Sequence, residues 1–235
     1  MSKQAVGGWL ALAVLWAGGA GAAEVEVNVD AASAYVFRGV TLNDGMVLQP
    51  SVEVAGFPVP LTVGVWGNFD LDDYDGALTE NQFSEVDWYA SYAVALTEKA
   101  EVAAGYTEYT YPGAEGDADR EASLGLALDL PLAPSLTVYY GLDGAVRKDL
   151  YIEAAVEHGV EVGEVALTAG ATVGYLDPEA AEAESGFANY TVSLGASYGI
   201  VSVTGTYIGQ IDDEVLTDED YDVELVGVLS LTYGF

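Results

Sequence analysis

Carboxylates set two positions apart recur along this chain, as at Glu85 and Asp87, or at Glu26 and Asp30 with Asn28 between them. A spacing of two puts side chains on one face of an extended strand, so these acids form rows on a single surface. Glu53, Asp70, Glu101, Asp129, Asp143, Glu153, Glu164 and Glu224 fall on the same face of their own runs, as do Trp66, Tyr89 and Tyr139. Rings of acid around a narrow aqueous passage favour cations and exclude anions. Arg38 follows Phe37 at the end of such a run, and its parity places it on the same face as Glu26, Asn28 and Asp30. There it can pair with Asp70 or Asp87, either narrowing and polarising a constriction or acting as a structural ion pair that fixes the following loop. The candidate lining set is therefore Arg38, Trp66, Asp70, Glu85, Asp87, Tyr89, Asp129 and Asp143.

Other chemistries find little to stand on. His158 is the only histidine and there is no cysteine, which argues against zinc or haem. A nucleophile–histidine pair would have to use His158, whose parity groups it with Leu150, Ile152, Ala154 and Val156 on an apolar face. No enzyme activity and no cofactor are expected. Acid clusters at Asp72-Asp73-Tyr74-Asp75-Gly76, Asp117-Ala118-Asp119 and Asp212 to Asp220 have oxygen ligands suited to Ca²⁺ or Mg²⁺ but lack EF-hand spacing. They read as solvated loop acids.

The elements that carry these rows alternate with a period of two. In 221–235, Tyr221, Val223, Leu225, Leu229, Leu231, Tyr233 and Phe235 share a face, interrupted by Gly227; polar or small residues share the other, apart from Val226 and Val228. Such a run can cross a bilayer core, which takes about 9–11 tilted residues. An aromatic end at Tyr233 and Phe235 fits the insertion signal read by a barrel-assembly machinery. Comparable runs are expected at 24–37, 46–56, 61–71, 83–95, 99–110, 121–130, 135–144, 149–160, 164–175, 187–199 and 200–211, making an even number of strands. Connections alternate between long polar stretches and tight turns, the arrangement of an outer-membrane barrel with its long loops outside. A soluble sandwich would share the alternation but has no reason to sort its loops by length. The expected fold is all-β, a 12-stranded antiparallel transmembrane barrel whose closure leaves no strand edge in lipid.

Residues 1–23 read as a signal peptide: Lys3, an apolar run from Trp9 to Trp16, then small residues to Ala23. Residues 24–235 then form a single barrel domain, exported through the periplasm to the outer membrane. Thirty-eight Asp and Glu against six Lys and Arg give a net charge of −32, which excludes nucleic acid as a partner. An apolar content of 51% is too high for a disordered acidic chain. The acid must sit in loops or around a wet interior.

The segment from Ala34 through Tyr35-Val36-Phe37-Arg38-Gly39 to Gly45, followed by Val47-Leu48-Gln49-Pro50, resembles the start of the TorF family of exported proteobacterial proteins. Val63 to Asp70, Glu85 to Tyr92 and Gly105 to Pro112 extend the resemblance in order. Gly67-Asn68-Phe69-Asp70 departs from that family's usual pattern. The resemblance implies an outer-membrane porin and names no solute. The resulting expectation is a passive, cation-preferring channel for small hydrophilic solutes or ions, embedded in outer-membrane lipid. Its rival is a closed barrel with a structural or surface-binding role, plugged by Arg38 and paired acids.

Overall fold

Fourteen strands make up the computed structural model, which describes residues 23–114, 117–180 and 183–235; the signal-peptide reading of 1–23 lies almost wholly outside them. Twelve strands close into one antiparallel barrel: β1 (Glu24–Ala32), β4 (Val47–Ala55), β5 (Leu61–Asp70), β6 (Gln82–Thr97), β7 (Ala100–Thr110), β8 (Asp119–Leu128), β9 (Ser135–Asp143), β10 (Leu150–Val162), β11 (Val165–Asp177), β12 (Gly186–Tyr198), β13 (Val201–Gln210) and β14 (Leu225–Gly234). Each pairs with its sequence neighbour, and β1 closes the ring against β14, with Val29 opposite Leu231. The expected twelve-stranded barrel is therefore the fold. Among the described residues there is no helix.

The period of two in the sequence becomes an apolar outside and a polar inside. Leu194 is 67% exposed on the outer face, with Tyr190, Val192 and Tyr198 on the same side of β12. Aromatic pairs mark both rims of this belt. Phe69 meets Phe83 edge to face, as Tyr175 does Phe187, towards the long-loop end, while Tyr233 meets Phe235 at 4.9 Å towards the short-turn end. Bands of this kind suit the two interfaces of a membrane.

The remaining two strands depart from the expected first strand, 24–37. The barrel strand β1 ends at Ala32, and β2 (Tyr35–Phe37) and β3 (Val40–Asn43) form a separate two-stranded hairpin. Its position is fixed by the wall itself: β1 and β4 pair directly, with Ala32 opposite Val47, so residues 33–46 leave the ring and fold into it. The turn is a two-residue loop, Arg38-Gly39, with φ of 53° and 89°. Two consecutive positive values are the mark of a type I′ hairpin turn, where glycine is at home and arginine is not.

An apolar cluster seats the hairpin against one side of the wall. Ala34, Tyr35 and Val36 pack with Ala32, Val47, Ile208 and Val226, all nearly inaccessible, and Val228 adjoins them. The two valines that broke the polar face of the last strand are its contribution to this contact. The last strand also starts later than the expected 221. Residues 217–224 instead lean over the hairpin, where the backbone N–H groups of Asp222 and Val223 donate to Thr41 Oγ1 and Thr41 N–H donates to the Asp220 carbonyl.

Candidate functional site

Across the long-loop half of the interior, the hairpin bonds to one wall strand after another. Tyr35 donates its phenol proton to Glu85 on β6 at 2.8 Å, and its ring lies 5.5 Å from that of Trp66 on β5. Asn43, fully buried, donates to Asp70 on β5 at 2.7 Å, and Asn68 donates to the same carboxylate oxygen at 2.9 Å. The Phe37 ring meets that of Tyr109 on β7.

Arg38, at the tip, is held most tightly. Nη1 and Nη2 donate to the two carboxylate oxygens of Glu121 at 2.8 and 2.9 Å, the bidentate geometry that matches a guanidinium fork. Tyr109 donates to Glu121 as well, at 2.8 Å. The guanidinium carbon lies 4.6 Å from the Phe37 ring centre and 4.5 Å from those of Tyr139 and Tyr151. Tyr139 and Tyr151 are directly opposed residues of β9 and β10, so the pleat delivers both rings to one place. These contacts offset the cost of a left-handed arginine, of order 1–2 kcal/mol.

The expected partners of Arg38, Asp70 and Asp87, are replaced by Glu121, because the arginine is carried across the interior on a hairpin rather than standing on β1. Of the proposed lining residues, Trp66, Asp70, Glu85, Asp87 and Tyr89 lie on the inner face, and Tyr89 donates to Glu53 at 3.2 Å. Asp129 does not line the interior: it lies in the turn after β8, exposed, its N–H donating to the Lys99 carbonyl. Asp143 does not either. A bulge sets it opposite Arg120, and the two bond at 2.8 Å on the outer face, where Arg120 also contacts Glu108. Glu121 and Asn189 belong to the site and were missed by sequence reasoning, although Glu121 has the same parity as Ser123 and Ala127 on the polar face of its run. His158 is exposed on the outward parity of β10.

The charge balance of the interior is one-sided. Asp30, Asp70, Glu85, Asp87, Asp119 and Glu121 are all buried, and Arg38 is the one Lys or Arg among the described residues that faces them. Asp70 Oδ2 and Asp87 Oδ1 have no hydrogen-bond partner. Outside the wall, Asp44 is held above the usual carboxylate range by partial desolvation and by Asp222, Asp75 and Asp72. Tyr111, beyond the end of β7, is raised by burial and by its hydrogen bond to Asp119. Among the described residues no three His, Cys, Asp or Glu side chains gather as a metal-binding group.

The fold is that of outer-membrane porins. It is similar to a structure of the NanC porin with a TM-score of 0.53 at 12% identity, covering 89% of this chain and 98% of that one. It is similar to the KdgM porin at 0.56 and 9%, covering 89% and 99%, and to a KdgM porin in complex with disordered oligogalacturonate at 0.55 and 8%, covering 90% and 99%. No curated protein sequence matches, and none of these comparisons carries the TorF name. A bacterial sequence family does match, over residues 16–227, which include every stretch behind the TorF resemblance. The chain belongs to that family, Gcw_chp, described as bacterial proteins of unknown function.

Proposed function

We propose that this chain is an outer-membrane channel for small hydrophilic solutes, selective for cations and narrowed at its long-loop end by the hairpin of β2 and β3. The observation that carries the reading is the surplus of buried carboxylates around one neutralised base, Arg38, inside a closed barrel. A passage lined in this way lowers the energy of a cation and raises that of an anion. A polyanion such as the oligogalacturonate of the KdgM complex would be repelled here. The porin-like fold and the TorF resemblance support a channel over an enzyme. Tyr233 and Phe235, outward at the short-turn rim, suit recognition by an assembly machinery. The long loops would then face the cell exterior and both chain ends the periplasm.

The test is single-channel recording of the refolded protein in a planar bilayer, with a salt gradient for the reversal potential. A steady conductance with cation preference supports the proposal; anion preference overturns the acidic-passage argument. A second reading has its own observation: Val36 and Asn43 of the hairpin are essentially inaccessible, as expected of a plug. Silence at all voltages would favour that closed barrel, with a structural or surface-binding role.

A further inference from the structure

The contacts of Arg38 divide into those it brings and those the wall supplies. Phe37 travels with the hairpin. Glu121, Tyr109, Tyr139 and Tyr151 belong to β8, β7, β9 and β10, and would stay in place if the hairpin withdrew. What the wall holds is a buried carboxylate whose two oxygens are spaced for a fork of N–H donors, beside two aromatic faces. Tyr151 is itself fixed, its phenol donating to Asn189 at 3.1 Å. Without Arg38 this cavity would hold a desolvated charge, a state that burial strongly disfavours.

We infer that this cage is a binding site for planar organic monocations of the guanidinium type, and that Arg38 is its tethered occupant. The inference rests on the channel reading for its role in transport: an arriving guanidinium group takes Glu121 from Arg38 and frees the hairpin tip. The ring faces alone would accept any cation, since the attraction is to charge. The bidentate carboxylate is what demands a flat group with paired N–H donors. Sodium and tetramethylammonium satisfy at most half of the site.

The refolded full chain carrying Arg38→Ala is titrated with guanidinium chloride at constant ionic strength, following thermal midpoint and bilayer current. Guanidinium at millimolar concentration should raise the midpoint and interrupt the current, while sodium and tetramethylammonium should do neither. The unmodified protein should need at least about twofold more, because a tethered competitor at millimolar effective concentration competes on equal terms with millimolar guanidinium. Adding Tyr139→Leu should abolish the response, and Tyr139→Phe should keep it. Equal responses to guanidinium and tetramethylammonium would overturn the inference, as would indifference of the response to Tyr139→Leu. Should Arg38→Ala fail to refold, the unmodified protein against Tyr139→Leu gives the same comparison at higher guanidinium, equal sensitivity again counting against the cage. Absence of current in every variant would remove the channel reading alone, since the thermal shift still decides whether the cage binds.

Discussion

Tyr151 lies over Gly174, its phenol so close that a Cβ at residue 174 would overlap the oxygen. The glycine is what lets the ring lie down along β11, with its hydroxyl on Asn189 and its face beneath Arg38. One missing side chain on β11 thus sets the position of an aromatic wall on β10 and, through it, of the hairpin tip.

Gly174→Ala should therefore push Tyr151 out of place. Overpacking of this kind costs about 1–3 kcal/mol. Urea unfolding of the refolded protein in detergent measures it, and an unchanged midpoint would show that the ring has room to move. If the channel conducts, the same variant should alter its conductance, because Tyr151 supports the constriction.

Arg38→Ala leaves Glu121 as a buried charge with Tyr109 as its remaining donor. Breaking one side of a buried pair costs on the order of 3–5 kcal/mol, more than the pair itself is worth. Adding Glu121→Gln to Arg38→Ala should recover part of that loss, since the stranded charge disappears. A double-mutant cycle from unfolding midpoints separates the two contributions. Additive losses would mean that the two side chains do not act as a pair. Arg38→Lys should fall between, keeping the charge but not the fork.

The barrel was legible because lipid-facing alternation repeats over twelve runs, and because loop lengths sort by end. The hairpin was not. Tyr35, Val36 and Phe37 continue the extended pattern of β1, and Arg-Gly lacks the Asn-Gly or Asp-Gly signature of a type I′ turn. One trace of it stood in the sequence: Val226 and Val228, apolar residues on a polar face, which make sense only if something apolar sits inside. Asp143 was misplaced for another reason. A bulge inserts a residue beside Leu142 and reverses parity beyond it, and no composition signal marks it. Asp129 failed at a strand end, where alternation no longer fixes direction.

Excising residues 35–43 and joining the flanks with a short Gly-Ser linker should leave the barrel intact. Closure depends on β1 against β4 and β14, and none of that pairing passes through the hairpin. Conductance should rise, while heat-resistant migration in detergent gels should persist. A barrel that no longer folds would mean that the apolar contact with Val226 and Ile208 is needed for assembly. Unchanged conductance would remove the hairpin as the constriction.

Orientation can be read by chemical labelling. Cysteines at Asp213 and Asp218 lie in the long loop between β13 and β14, and one at Thr97 lies at the opposite end of the barrel. On intact cells an impermeant maleimide should label the first two and spare the third. Labelling at Thr97 alone would invert the assigned orientation.

The proposed selectivity rests on the uncompensated acids. Asp70→Asn and Asp87→Asn each replace a buried acid close to the hairpin, and together they should move the reversal potential towards that of an unselective pore. Arg38→Ala should move it the other way, deepening cation preference, because Glu121 then adds its charge to the passage. The share contributed by acids that face water should fade as salt rises, being screened over about 10 Å at 0.1 M and about 3 Å at 1 M, whereas the buried Asp70, Asp87 and Glu121 are screened much less. A preference for guanidinium over sodium that survives in strong salt would have to come from contact with the passing ion, as at the cage of Glu121, Tyr139 and Tyr151, rather than from the field of the acidic wall. Recording guanidinium against sodium at high salt separates these contributions: the field cannot tell the two cations apart, and the cage can.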